Sequence, residues 1–141
     1  MNKNKTFAPN ANKIQKNWHF MDATDKTLGR FATEVAIYLM GKNKPEYTTN
    51  ANVGDKVVVT NVEKIKVTGK KLEKKEYIYH TGFPGGLKNE KLKSLSTRKP
   101  EQVFKYAVIG MLPKNKLRAE RIRNLYIFKG SEHPYKALEV K

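Results

Sequence analysis

From Leu28 onward the apolar residues Leu28, Phe31, Ala32, Val35, Ala36 and Leu39 recur at i, i+3, i+4, i+7, i+8 and i+11. That is the period of a helix with one face turned to a core. Ahead of it Trp18-His19-Phe20-Met21-Asp22 is a compact apolar segment that reads as a strand, and after it Val57-Val58-Val59-Thr60 is a β-branched run between Gly54-Asp55 and Asn61. Such a run predicts a buried strand. Thr24 or Asp25 is placed to cap the start of the helix, and Gly41 to end it in a left-handed turn. This order of elements points to an α/β layer fold with a mainly parallel sheet.

The remaining elements continue the alternation. Ile65 and Val67 alternate with lysines and predict a short strand with one wet face, and Tyr77-Ile78-Tyr79 predicts another. Residues 88–97 read as a short helix with Leu92 and Leu95 inward. Pro100 suits the first turn of a helix that carries Val103, Phe104, Ala107, Val108 and Met111 on one face, and Pro113 stops it. Residues 116–124 predict a basic helix and Leu125-Tyr126-Ile127-Phe128 a last strand. Residues 17–141 form one expected α/β domain with an extended C-terminal tail. Residues 1–16, rich in Asn and Lys, form an extended basic arm with little to bury.

Charge sets the partner class. The chain of 141 residues holds 29 Lys and Arg against 13 Asp and Glu, a formal net charge of +16. Such an excess repels itself unless a polyanion neutralises it, and nucleic acid is the commonest polyanion, with an anionic membrane surface next. Cysteine is absent, so no disulfide framework or thiolate metal site is available. No window approaches the roughly 18 apolar residues of a membrane span, and the N-terminal lysines have no apolar run behind them, so a soluble chain is expected.

The stretch His80-Thr81-Gly82-Phe83-Pro84-Gly85-Gly86-Leu87-Lys88 invites an enzymatic reading. A P-loop counted from Gly82 needs glycine at 87 and Ser or Thr at 89, where this chain has Leu87 and Asn89. The second glycine comes one place early, and the motif fails. His80 as a general base needs an orienting carboxylate or a nucleophile, and His19, His80 and His133 stand at no metal-ligand spacing. The one acid–His neighbour pair, Glu132-His133, is read as a surface cap. Two readings of the loop stay open: uncovered amides and the Phe83 ring laid against RNA, or a plain type II turn at Pro84-Gly85.

Two basic clusters lack balancing acids. Residues 64–75 carry Lys64, Lys66, Lys70, Lys71, Lys74 and Lys75 against Glu73. Residues 110–130 carry Lys114, Lys116, Arg118, Arg121, Arg123 and Lys129 against Glu120. A solvated helix face would pair its charges at i+4; these do not, and the arginines suit bidentate phosphate contact. Lys26, Gly29 and Arg30 fall in the first turn of the helix at 28–39, a phosphate seat, although Gly29 equally allows close helix–strand packing.

With these residues assembled, the chain resembles the bacterial-type large ribosomal subunit protein thirteen family. The resemblance rests on Asp22-Ala23-Thr24 with Lys26-Thr27-Leu28-Gly29-Arg30, Gly41-Lys42, Glu46-Tyr47-Thr48 and Gly54-Asp55. It continues through Val67-Thr68-Gly69-Lys70-Lys71, His80 to Gly86, Gly110-Met111-Leu112-Pro113-Lys114-Asn115 and Glu132-His133-Pro134. Thr49 and Asn50 stand where the family usually has Pro and His, Asn52 where it has Asp, and Arg118-Ala119 where it has Gly-Arg.

The resemblance implies a three-layer α/β/α domain around a parallel four-stranded sheet. It also implies a non-enzymatic, cytoplasmic constituent of the large ribosomal subunit that binds its RNA, touches neighbouring proteins and joins early in assembly. No cofactor, metal, membrane or small-molecule substrate is implied. The expected RNA contacts are Lys26 and Arg30, then Lys70 and Lys71, then His80, Gly82, Phe83, Gly85, Gly86 and Lys88 of the glycine loop. Lys114, Lys116, Arg118, Arg121 and Arg123 complete the set. The competing reading is a small α/β enzyme acting on a nucleotide or phosphorylated substrate.

Overall fold

The computed structural model describes residues 8–10 and 14–139. The arm expected over 1–16 lies largely outside them. In chain order the elements are β1 (Trp18–Asp22), α1 (Leu28–Met40), β2 (Lys56–Thr60), a 3-10 turn (Val62–Lys64), α2 (Lys71–Lys74), β3 (Glu76–His80) and β4 (Leu87–Lys91). Then come α3 (Leu92–Arg98), α4 (Pro100–Met111), α5 (Leu117–Arg123), β5 (Leu125–Ile127) and α6 (Lys136–Glu139).

Strands β1, β2 and β5 form a parallel sheet in the order β1-β2-β5, with Phe20 opposite Val58 and Val58 opposite Tyr126. This is the α/β class and parallel sheet that the alternation predicts. Side chains alternate across the pleat. One face presents Val57, Val59, Met21, Leu125 and Ile127 to α1 and α4, where Phe31 and Phe104 meet at 5.4 Å between ring centroids. Every apolar residue that set the period of α1, from Leu28 to Leu39, is buried there. Burial of a Leu, Val or Phe side chain contributes about 1.5–3 kcal/mol, so this face supplies most of the core.

The opposite face carries Trp18, Phe20, Val58 and Tyr126 and is covered by the C-terminal segment. Trp18 packs on Tyr126 and Tyr135, and Phe20 and Phe128 pack on His133. His133 is therefore buried, with its Nε2 3.5 Å from Glu139, and is no surface cap. The ring is drawn in because the sheet needs aromatic cover here and α6 is only one turn long.

Three parallel strands stand where four were expected. Ile65–Val67 makes a single bridge, Thr27 to Lys66. Asn61, at φ 56°, and the 3-10 turn after it turn the chain away beyond the end of the central strand β2 before a ladder can form. Tyr77–Tyr79 does form a strand, but in a separate antiparallel hairpin of β3 and β4. A tight loop joins only antiparallel neighbours, so the glycine loop forces that pairing. The helix expected over 88–97 consequently starts at Leu92, with Leu92 and Leu95 inward as the spacing requires.

The caps differ in part. Gly41 ends α1 at φ 78° as expected, but Thr27 occupies the N-cap. Thr24 instead donates its N–H and hydroxyl to Asp22 Oδ1, and Asp25 pairs with Lys66. Pro100 opens α4, and Leu112, extended ahead of Pro113, closes it.

Candidate nucleic-acid interface

The glycine loop is a turn built from its own bonds. Gly86 N–H donates to Phe83 O at 2.9 Å and Thr81 N–H to Gly86 O at 3.0 Å. Gly85 has φ 68°, the third position of a type II turn behind Pro84. His80 Nδ1 accepts the Gly82 N–H at 2.9 Å, so the ring holds the loop start. A Cβ on Gly86 would lie 2.1 Å from Thr81 Oγ1, which makes this glycine a packing requirement. The turn thrusts Phe83 outward, 74% exposed. Lys88, exposed on β4, stands opposite Tyr79 on the neighbouring strand.

At the start of α1, Lys26 lies over the Phe31 ring at 4.5 Å, with Glu34 3.8 Å from its ammonium. Arg30 is exposed. Lys70 and Lys71 line one open cavity of about 780 Å³ with Lys74, Lys75 and the facing ends of α1 and α4. Gly29 does not serve close packing, because a Cβ there meets nothing within 4 Å.

Lys114, Lys116 and Arg123 are exposed and Arg118 is half-buried, but Arg121 is 1% exposed. The expectation that Arg121 reaches phosphate is corrected by the phase of α5. Position 121 falls one turn after Leu117 and shares its inward side with Asn124, while Arg123 points away. Among the described residues the guanidinium Nε and Nη2 have no hydrogen-bond partner, and Asn52 Oδ1, Thr48 Oγ1 and Asn124 Nδ2 are likewise buried without one. Asn52 Nδ2 donates weakly to Glu120 at 3.4 Å.

Charge counting missed the group around Asp55. This carboxylate is fully buried and accepts from His19 Nε2 at 2.8 Å, the Asn17 N–H at 3.0 Å and Lys44 Nζ. Burial pushes its carboxyl up, but hydrogen bonds from Lys44, His19 and the Asn17 amide outweigh that and hold it below its ordinary value. Lys44 also donates to Gln15 O and Val53 O, so the group ties the chain ahead of β1 to the loop ahead of β2. The available signal was Gly54-Asp55, an acid at the mouth of an apolar strand, two residues before the partner of His19 in the sheet register. The pair looks catalytic, yet among the described residues no hydroxyl bonds the His19 ring, which packs on Tyr38 at 4.4 Å. The described residues also contain no group of three or more His, Cys, Asp or Glu that could hold a metal ion.

The loop, the lysine-lined cavity and α5 all carry exposed cations. Comparison with known proteins is decisive: the model of the family described as Ribosomal protein L13 matches residues 16–134. The chain belongs to the ribosomal protein L13 family. It is 50% identical over 134 residues to large ribosomal subunit protein uL13 of Prochlorococcus marinus (strain MIT 9301), covering 95% of this chain and 94% of that one. The protein of the same name from Legionella pneumophila (strain Corby) is 47% identical over 137 residues, 97% and 95% of the two chains. That of Finegoldia magna is 47% identical over 142 residues, 97% and 99%. Membership in the L13 family spans the sheet, both helical packing partners and the hairpin.

Proposed function

We propose that this chain is a structural constituent of the large ribosomal subunit, resident in the cytoplasm, that binds large-subunit ribosomal RNA and aids early assembly. Its family is one of structural ribosomal proteins, and the chain is not an enzyme. The observation that carries the reading is the family match over residues 16–134, with relatives named for the large subunit covering nearly the whole chain. The placement of charge supports it. Arg30, Lys70, Lys71, Lys114, Lys116 and Arg123 are exposed, and no ion pair holds them among the described residues. Gly82, Gly85 and Gly86 shape the turn that presents Phe83 and Lys88, while neighbouring subunit proteins are further partners.

Sedimentation of a cell lysate tests this. The chain is expected to travel with large subunits and to leave them only at high salt. Recovery wholly in the free fraction at low salt would overturn the reading.

A further inference from the structure

An open cavity lies between the start of α1, the end of α4 and the segment 67–75, with a volume of about 780 Å³. Its floor is apolar, with Leu28, Val67, Leu92 and Met111, and the Tyr106 ring stands at its side, 42% exposed. Its rim carries four lysines, Lys70, Lys71, Lys74 and Lys75. Apolar floor, aromatic wall and cationic rim together match the two halves of a nucleotide, a flat base and an anionic phosphate.

Two glycines strengthen the argument. Gly29 in α1 and Gly110 in α4 both line this cavity, and a Cβ on either would meet nothing within 4 Å. Gly29 is the second residue of α1 and Gly110 the second-last of α4, end-turn positions at which a residue with a side chain would favour the helix more. Neither has a positive φ. Among the described residues nothing therefore requires a bare backbone at these two places. A ligand that approaches the helices closely does require it.

We infer that this cavity receives a single unstacked nucleotide of the bound RNA, its base against Tyr106 and the apolar floor and its phosphates on the lysine rim. This rests on the RNA-binding reading above and adds to it a defined seat for one base. RNA is favoured over a free nucleotide because the cavity is open and carries four exposed lysines, Lys70, Lys71, Lys74 and Lys75, more cations than the phosphate of one mononucleotide would engage. Single-stranded segments are recognised in this way, by splayed bases on aromatic rings.

The experiment is to replace Gly110 by Leu and, separately, Gly29 by Leu, filling the cavity from either side. Affinity for deproteinised large-subunit ribosomal RNA, ultraviolet crosslinks to that RNA and the thermal midpoint are measured for each. Loss of one base stack predicts weakening of about tenfold, with the midpoint unchanged and the crosslink at Tyr106–Met111 lost while that at Phe83 persists. Affinity within about twofold of the parent in both folded variants would overturn the nucleotide seat and leave RNA binding standing. Absence of RNA binding by the parent chain would overturn both. Should one leucine variant fail to fold, Tyr106→Ala reads the same loss from the other wall. Adenosine monophosphate at millimolar concentration is expected not to compete, and displacement of the RNA by it would reassign the cavity to a free nucleotide.

Discussion

Asp55 and Gly86 show how single positions are fixed by what surrounds them. Asp55 keeps a depressed carboxyl value through Lys44, His19 and the Asn17 amide despite complete burial. A depressed folded value means that its contribution is full above the unfolded value and is lost as pH falls through the folded one. Denaturant unfolding should therefore show a stability component that disappears below the ordinary value of 3.8. Asp55→Asn should lose about 3–5 kcal/mol near neutral pH, because it strands buried partners, and should lack that acid step. An unchanged acid profile in the variant would refute the assignment. Gly86→Ala should loosen the hairpin by about 1–3 kcal/mol through overpacking, read as faster hydrogen exchange of the β3 and β4 amides. Adding Thr81→Ala should restore only part, since Phe83 O would still lie 2.7 Å from the new Cβ.

At the scale of elements, α5 and the hairpin divide structural from exposed roles. α5 turns Arg121 inward and Arg123 outward. Arg121→Met should be neutral or stabilising by about 1–4 kcal/mol, since an apolar side chain of similar length removes a buried charge whose Nε and Nη2 have no partner among the described residues. Arg123→Gln should stay within about 0.5 kcal/mol of the parent in stability yet weaken RNA binding. Chemical denaturation and RNA titration of the two variants separate these outcomes, and the reverse pattern would show that Arg121 faces the RNA. In the hairpin, Phe83→Leu should leave the thermal midpoint in place. It should weaken incorporation into large subunits by the equivalent of about 1–3 kcal/mol, one base stack. Undiminished incorporation would reduce the loop to a turn.

Over the whole molecule, a net charge of +16 surrounds an apolar core of Ala, Leu, Val, Phe and Met side chains. Affinity for RNA should therefore come largely from counterion release. Its logarithm should fall linearly with log salt, with a slope of roughly −0.7 to −0.9 per neutralised phosphate. An interface covering about six phosphates should lose about a thousandfold between about 50 and 200 mM salt. An affinity that stays flat over that range would contradict the electrostatic basis of binding.

Periodicity and β-branched runs determined α1, α4, β1 and β2, because local apolar spacing and core burial agree at those positions. Composition pointed to a polyanionic partner without choosing between nucleic acid and a membrane surface, since no packing arrangement removes so large an excess of lysine. The motif series determined the family. Tertiary structure alone decided which candidate strands entered the sheet, because Asn61 and the glycine loop redirect the chain at single residues whose effect depends on what lies beside them. It alone decided that Arg121 and His133 are buried, since α5 carries too few apolar residues to mark its phase and the aromatic face of β1 needed a cover from the tail. It alone brought Lys44, His19 and Asp55 together and opened Gly29 and Gly110 onto one cavity, since these residues are distant in sequence and only helix and strand packing sets the distances between them.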